Sequence, residues 1–134
     1  MKANELQIGD WVAYDGDVEY TNPIRIEGMD IATGMCITSD RDDVGFDGVW
    51  PIPLTADILE KNGFSHIMYS DAYYSIMIGD TYVELRKYEN MAVWFNCKEN
   101  NDGVYADYIL PMPEFVHELQ HALRLCGIDK EIEL

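Results

Sequence analysis

The chain has 134 residues, of which 48% are hydrophobic and 12% aromatic, a composition that fits one folded domain with a real core and excludes intrinsic disorder. Its 25 acids against nine Lys and Arg give a formal net charge of −16, so the surface repels phosphate backbones and anionic bilayers, and neither direct nucleic-acid binding nor membrane association is expected. No apolar run approaches the length of a membrane span, and Met1 to Glu5 opens into polar sequence without a hydrophobic signal segment, which makes the cytosol the expected compartment.

The first half reads as strands separated by turns. Leu6 to Tyr14 is a Gly9-Asp10 turn leading into an alternating aromatic and β-branched strand, and Gly9-Asp10-Trp11-Val12 has the pattern that opens small SH3-like barrels. Asp15-Gly16-Asp17 reads as a hairpin-type turn. Pro23 to Gly28 and Ile31 to Thr38 each supply a strand, with Gly28-Met29-Asp30 between them. A fourth strand, Val44 to Trp50, follows an acidic turn that holds Asp40, Asp42, Asp43 and Asp47, and Pro51-Ile52-Pro53 closes the segment. Residues 1–53 are therefore expected as an SH3-like small β-barrel or a curled antiparallel sheet. The acidic turn resembles the start of a calcium loop, but Val44 stands at the fifth ligand position and Pro51 where the bidentate Glu belongs, which rejects an EF-hand. A solvated turn is the stronger reading of these acids and an irregular cation site the weaker one.

The second half, 54–134, alternates helix and sheet. Leu54 to Phe64 carries a Thr55 N-cap, an acid in the first turn, a Lys in the last and a Gly63 stop, the signature of a short helix with Ile58 and Leu59 facing inward. Tyr73 to Ile78, Tyr82 to Lys87 and Met91 to Cys97 read as an antiparallel meander joined by Gly79-Asp80 and Glu89-Asn90 turns; after an Asn100-Asn101-Asp102-Gly103 turn, Val104 to Leu110 adds a last strand. Pro111-Met112-Pro113 then launches a terminal helix with a proline in its first turn, and Asp129 to Leu134 reads as a tail. The fold expected is α+β in a single domain. Its core is expected to include Trp11, Ile26, Ile58, Leu59, Phe64, Val83, Leu85, Val93, Phe95, Phe115, Leu119 and Leu123. Cys36, Cys97 and Cys126 are odd in number and lack Cys-x-x-Cys spacing, so they read as buried thiols rather than a disulfide scaffold.

The terminal helix carries the one catalytic formula in the chain, His117-Glu118-Leu119-Gln120-His121, or His-Glu-x-x-His. Residues four apart share a helix face, so His117 and His121 can offer two imidazoles to zinc and Glu118 a general base for a metal-bound water. Against this, Arg124 and Gly127 stand where a metzincin-type extension would place Gly and His, and only thirteen residues follow His121 to supply a third ligand. The better-supported reading is packing: Phe115, Val116, Leu119, Ala122, Leu123 and Cys126 form an apolar stripe, which leaves His117 and His121 on the polar side. His66, alone beside Ser65, reads as a hydrogen-bonded structural histidine.

Three segments, Met1 to Val12, Ile52 to Phe64 and Val116 to Leu123 with the acidic end, resemble a family of small uncharacterised proteins abundant in Bacteroidetes and their phages and mobile elements. The resemblance covers both ends and the middle and implies an origin and a layout rather than a reaction, since that family has no assigned activity. Its members resemble one another in reading His-Gln-Leu-Gln-Asn at 117–121, which makes Glu118 and His121 departures and leaves Leu119 and Leu123 as the shared packing positions.

Two functional classes follow. The first is a non-enzymatic acidic accessory protein of a phage or mobile element, whose surface, with Asp40, Asp42, Asp43 and Asp47 as candidate contacts, engages a protein partner of basic character. The second is a small-ligand activity. It is either nucleotide binding in a counter-defence protein, with Arg25, Arg41, Arg86 and Arg124 as the few phosphate clamps, or zinc-dependent hydrolysis through His117, Glu118 and His121. The first is favoured, with no cofactor required.

Overall fold

The computed structural model describes residues 1–66, 73–79, 81–86, 94–101 and 104–134. They form an α+β fold with two five-stranded antiparallel sheets among the described residues. Contacts gather into two compact units, Met1–Pro53 with Phe115–His117, and Leu54–Glu114 with Glu118–Leu134.

In the first unit, β1 (Trp11–Tyr14), β2 (Ile24–Asp30), β3 (Met35–Thr38), β4 (Val44–Gly45) and β5 (Val49–Pro51) run in the order β4-β3-β2-β1-β5. The sheet has two edges, so the unit is an open, curled sheet and not a closed SH3-like barrel. The expected strand from Val44 to Trp50 is broken by a 3-10 turn at Phe46–Gly48. Its first piece pairs with β3 and its second with β1, so one segment of sequence edges both sides of the sheet. Gly28-Met29-Asp30 is not the turn between the second and third strands but the end of β2, with a bulge between Ile26 and Gly28. The reversal falls at Ile31–Gly34 because the Asp30 Oδ1 accepts the N–H of Ala32 at 3.0 Å and of Thr33 at 3.3 Å, an Asx turn that Gly34 completes at φ 71°. Asp15-Gly16-Asp17 likewise opens a longer loop rather than a two-residue hairpin, since the Asp17 carboxylate gathers the N–H groups of Thr21 and Asn22.

Leu6, Val12, Ile24, Ile26, Cys36, Val44, Phe46 and Val49 make the first core, and the Met1 ammonium donates to the carbonyls of Phe46 at 2.8 Å and Val49 at 3.2 Å. Trp11, expected in that core, is half-buried with the Arg25 guanidinium 5.0 Å over its ring. Phe115, also expected inside, is half-buried and bridges Pro53, while the Val116 N–H donates to the Ile52 carbonyl.

The second unit contains α1 (Ala56–Lys61), β6 (Ser65–His66), β7 (Tyr73–Ile78), β8 (Thr81–Arg86), β9 (Trp94–Asn101) and β10 (Val104–Pro111); α2 (Val116–Leu125) starts in the first unit and continues here. Each strand pairs with the next in sequence, the expected meander extended by the short β6. Asn100 and Asn101 lie in β9 rather than in a turn, while Lys87, Glu89, Asn90, Val93 and the Asp80 and Asp102-Gly103 turn positions fall outside the described residues, as do the side chains of Phe95 and Cys97. The Thr55 hydroxyl accepts the Ile58 N–H at 3.3 Å, Gly63 takes φ 86° past the helix end, and Leu59 and Phe64 are buried while Ile58 is only half-buried. Val83 and Leu85 are fully buried.

α2 begins at Val116, three residues after Pro113, which therefore precedes the helix instead of occupying its first turn. Val116, Leu119, Ala122, Leu123 and Cys126 are buried as the stripe requires. The chain end is no tail: Ile128 and Ile132 are buried, and the Asn62 amide clamps Glu133 from both sides, donating to its carbonyl and accepting its N–H at 2.8 Å each. Among the described residues no helix is long and apolar enough to cross a membrane.

Candidate functional site

The terminal helix separates the three groups of the zinc formula by environment. His117 is not on a polar face: it is 4% exposed, and its ring stacks on Phe115 with centroids 5.9 Å apart and planes 19° apart. Gln120, 2% exposed, is buried as well, so the buried arc of the helix is wider than its apolar stripe. The Glu118 carboxylate accepts the Glu114 N–H at 2.7 Å, which ties the candidate general base to the start of its own helix. His121 is half-buried and lines, with Glu118, Leu110, Met112, Pro113 and Leu125, a shallow groove of about 230 Å³. Among the described residues no group of three or more His, Cys, Asp and Glu is placed to hold a metal ion. Cys36 and Cys126 are buried free thiols.

The acids of the first unit also divide. Asp40 is joined to the sheet: the Tyr14 phenol and the Thr38 hydroxyl both donate to its Oδ1, the latter at 3.0 Å. The phenol's hydrogen bond, with help from Thr38 and the Arg41 charge, holds the Asp40 carboxyl below the usual carboxylate range, while burial and then the bond to Asp40 push the Tyr14 phenol up. The Arg41 guanidinium lies 4.6 Å over the Tyr14 ring. Asp47 is exposed on the 3-10 turn. Asp42 and Asp43 are exposed and line a groove of about 570 Å³ at the β2–β3 end of the sheet, where Asp30, Met29, Met35 and Ile37 also lie.

The sequence marks neither Asp30 nor the apolar side chains of Ile37, 43% exposed, and Ile8, 61% exposed, as lining this groove. The signal for Asp30 was its spacing before Thr33 and Gly34, the pattern of an Asx turn. Its carboxyl is held below the usual range by hydrogen bonds from Thr33, side chain first and then backbone. Of the candidate phosphate clamps, Arg25 and Arg41 lie over aromatic rings, Arg124 is exposed on α2, and the Arg86 side chain is outside the described residues. His66 stacks at a tilt on Tyr74, its partner across β6 and β7, at 5.0 Å.

Comparison of the chain with protein-family models, with curated proteins and with solved structures found no match.

Proposed function

We propose that this protein is a non-enzymatic binding protein, an accessory factor of a phage or mobile element, whose acidic surface engages a basic protein partner. The observation that carries the reading is the charge of −16 on a folded chain, with exposed carboxylates at Asp30, Asp42 and Asp43 beside apolar side chains of the first sheet. A surface of one sign steers an oppositely charged partner into contact and resists wrong ones, and apolar neighbours supply contact area once it arrives. Catalysis gains less support, because His117 is packed on a phenyl ring and the Glu118 carboxylate is engaged at the helix start.

Native mass spectrometry of tag-free protein, followed by affinity capture at roughly 0.05 M and 0.3 M salt, on either side of physiological screening, tests this. The expected result is a mass without metal or nucleotide, and captured proteins of basic character released at the higher salt. Stoichiometric zinc that is lost in a His117→Ala variant, or a retained nucleotide, would replace this reading with the small-ligand one.

A further inference from the structure

The groove at the β2–β3 end of the first sheet combines an apolar floor with a carboxylate rim. Its floor is continuous with the core, since Met29 packs against the core cluster and Cys36 belongs to it. Gly28 stands directly opposite Ile37 in the β2–β3 register, and a Cβ at position 28 would sit 3.2 Å from the Ile37 Cδ1, so the absent side chain leaves Ile37 room at the floor. Ile8 and Ile37 both line the groove and keep apolar surface exposed there. Asp30, at the end of β2, and Asp42 and Asp43, in the loop between β3 and β4, supply three carboxylates.

We infer that this groove receives a short basic segment of another protein, with apolar side chains seated on Met29 and Ile37 and flanking Lys or Arg side chains at Asp30, Asp42 and Asp43. This rests on the reading of the protein as an acidic binding protein and names the place and the chemistry of the contact. Charge selects the occupant. A second copy brings the same −16 and the same three carboxylates, so like charges oppose it, whereas a cationic segment relieves repulsion among the acids. Among the described residues no Lys or Arg lines the groove, and Arg41 lies over Tyr14, Arg25 over Trp11, while the Met1 ammonium donates to two core carbonyls. The groove's 570 Å³ is of the size that seats a few side chains rather than a globular surface. Apolar side chains carry contact energy and charged rims set rate and specificity, so the two halves of the site leave separate signatures.

The test is fluorescence anisotropy with two labelled heptapeptides, one with isoleucines between terminal lysine pairs and one with serines replacing the isoleucines. The isoleucine peptide is expected to bind about tenfold more tightly than the serine peptide. Ile37→Ser and Ile8→Ser, both at exposed positions, are expected to weaken it about five- to tenfold. The Asp42→Asn/Asp43→Asn double variant is expected to flatten the salt dependence. Val18→Ser, 70% exposed outside the groove, and Glu19→Gln are expected to change neither. Salt-sensitive binding that treats the two peptides alike, or that ignores Ile37→Ser and Ile8→Ser, overturns the groove while leaving a basic partner standing. No binding of either peptide, with basic proteins still captured and salt-released by the whole protein, overturns the groove alone; loss of both overturns the groove and the acidic-binder reading together.

Discussion

Tyr14, Thr38 and Asp40 form the most informative polar cluster at the residue scale, because the phenol and the Thr38 hydroxyl both donate to a carboxylate held below the usual carboxylate range. The folded Asp40 value lies below its unfolded one, so its stabilisation is present above about pH 4 and is lost as pH falls through the folded value; the folded Tyr14 value lies above its unfolded one, so its share is present below about pH 10 and lost as pH rises through the folded value. Tyr14→Phe should therefore lower the urea midpoint most at neutral pH, with the gap to wild type closing at both extremes; a gap independent of pH would show that the hydroxyl stabilises through its contact with Thr38 and not through the Asp40 carboxylate. The terminal helix gives a second residue-level contrast. Leu119 is fully buried and Leu119→Ala is expected to cost about 2–5 kcal/mol, His117→Ala, which removes a buried ring, about 2–4 kcal/mol, and His121→Ala less than about 1 kcal/mol in urea unfolding. A His121→Ala loss equal to that of Leu119→Ala would point to a structural metal instead of packing. Apolar periodicity alone puts His117 on the polar side of the helix, whereas it is buried. An imidazole and the Gln120 amide widen the buried arc without adding to the apolar count.

At the scale of elements, what could be read in the sequence was local. Thr55 and Gly63 bracket α1 through contacts within five residues, and β7 and β10 begin where their β-branched and aromatic runs begin. What could not be read was non-local: the split of Val44–Pro51 between the two edges of a sheet depends on which strands lie at those edges, and no pattern within the segment encodes it. The same holds for Asp30, whose place beside Asp42 and Asp43 is set by the β2–β3–β4 path and not by spacing. The chain end is the clearest case. Asp129-Lys130-Glu131 is as polar as any tail, yet Ile132 behind it is 1% exposed and Glu133 is held by Asn62, seventy-one residues away. Asn62→Ala should cost about 1–3 kcal/mol by stranding both backbone groups of Glu133, and should raise amide exchange at 128–134 before other segments respond. Unchanged exchange there would mean that the Ile128 and Ile132 side chains alone hold the end in place.

For the whole molecule, the charge of −16 makes one condition act in opposite directions on folding and on binding. Self-repulsion among 25 acids opposes the compact state, and salt screens it. Raising NaCl from about 0.05 M to about 0.5 M should therefore raise the melting temperature by about 2–5 °C, corresponding to about 1 kcal/mol for a chain of this length. Attraction to a cationic segment is screened by the same ions, so affinity for it should fall over the same range. The pairing matters because a general solvent effect moves both quantities together: a salt that merely strengthens apolar burial would raise stability and tighten an apolar contact. Measuring both on one sample by thermal melting and anisotropy separates the two cases. A melting temperature that falls with salt would mean that attractive ion pairs outweigh repulsion in the fold. The surplus of carboxylates would then be engaged within the protein, and the field available to draw in a basic partner would be correspondingly weaker.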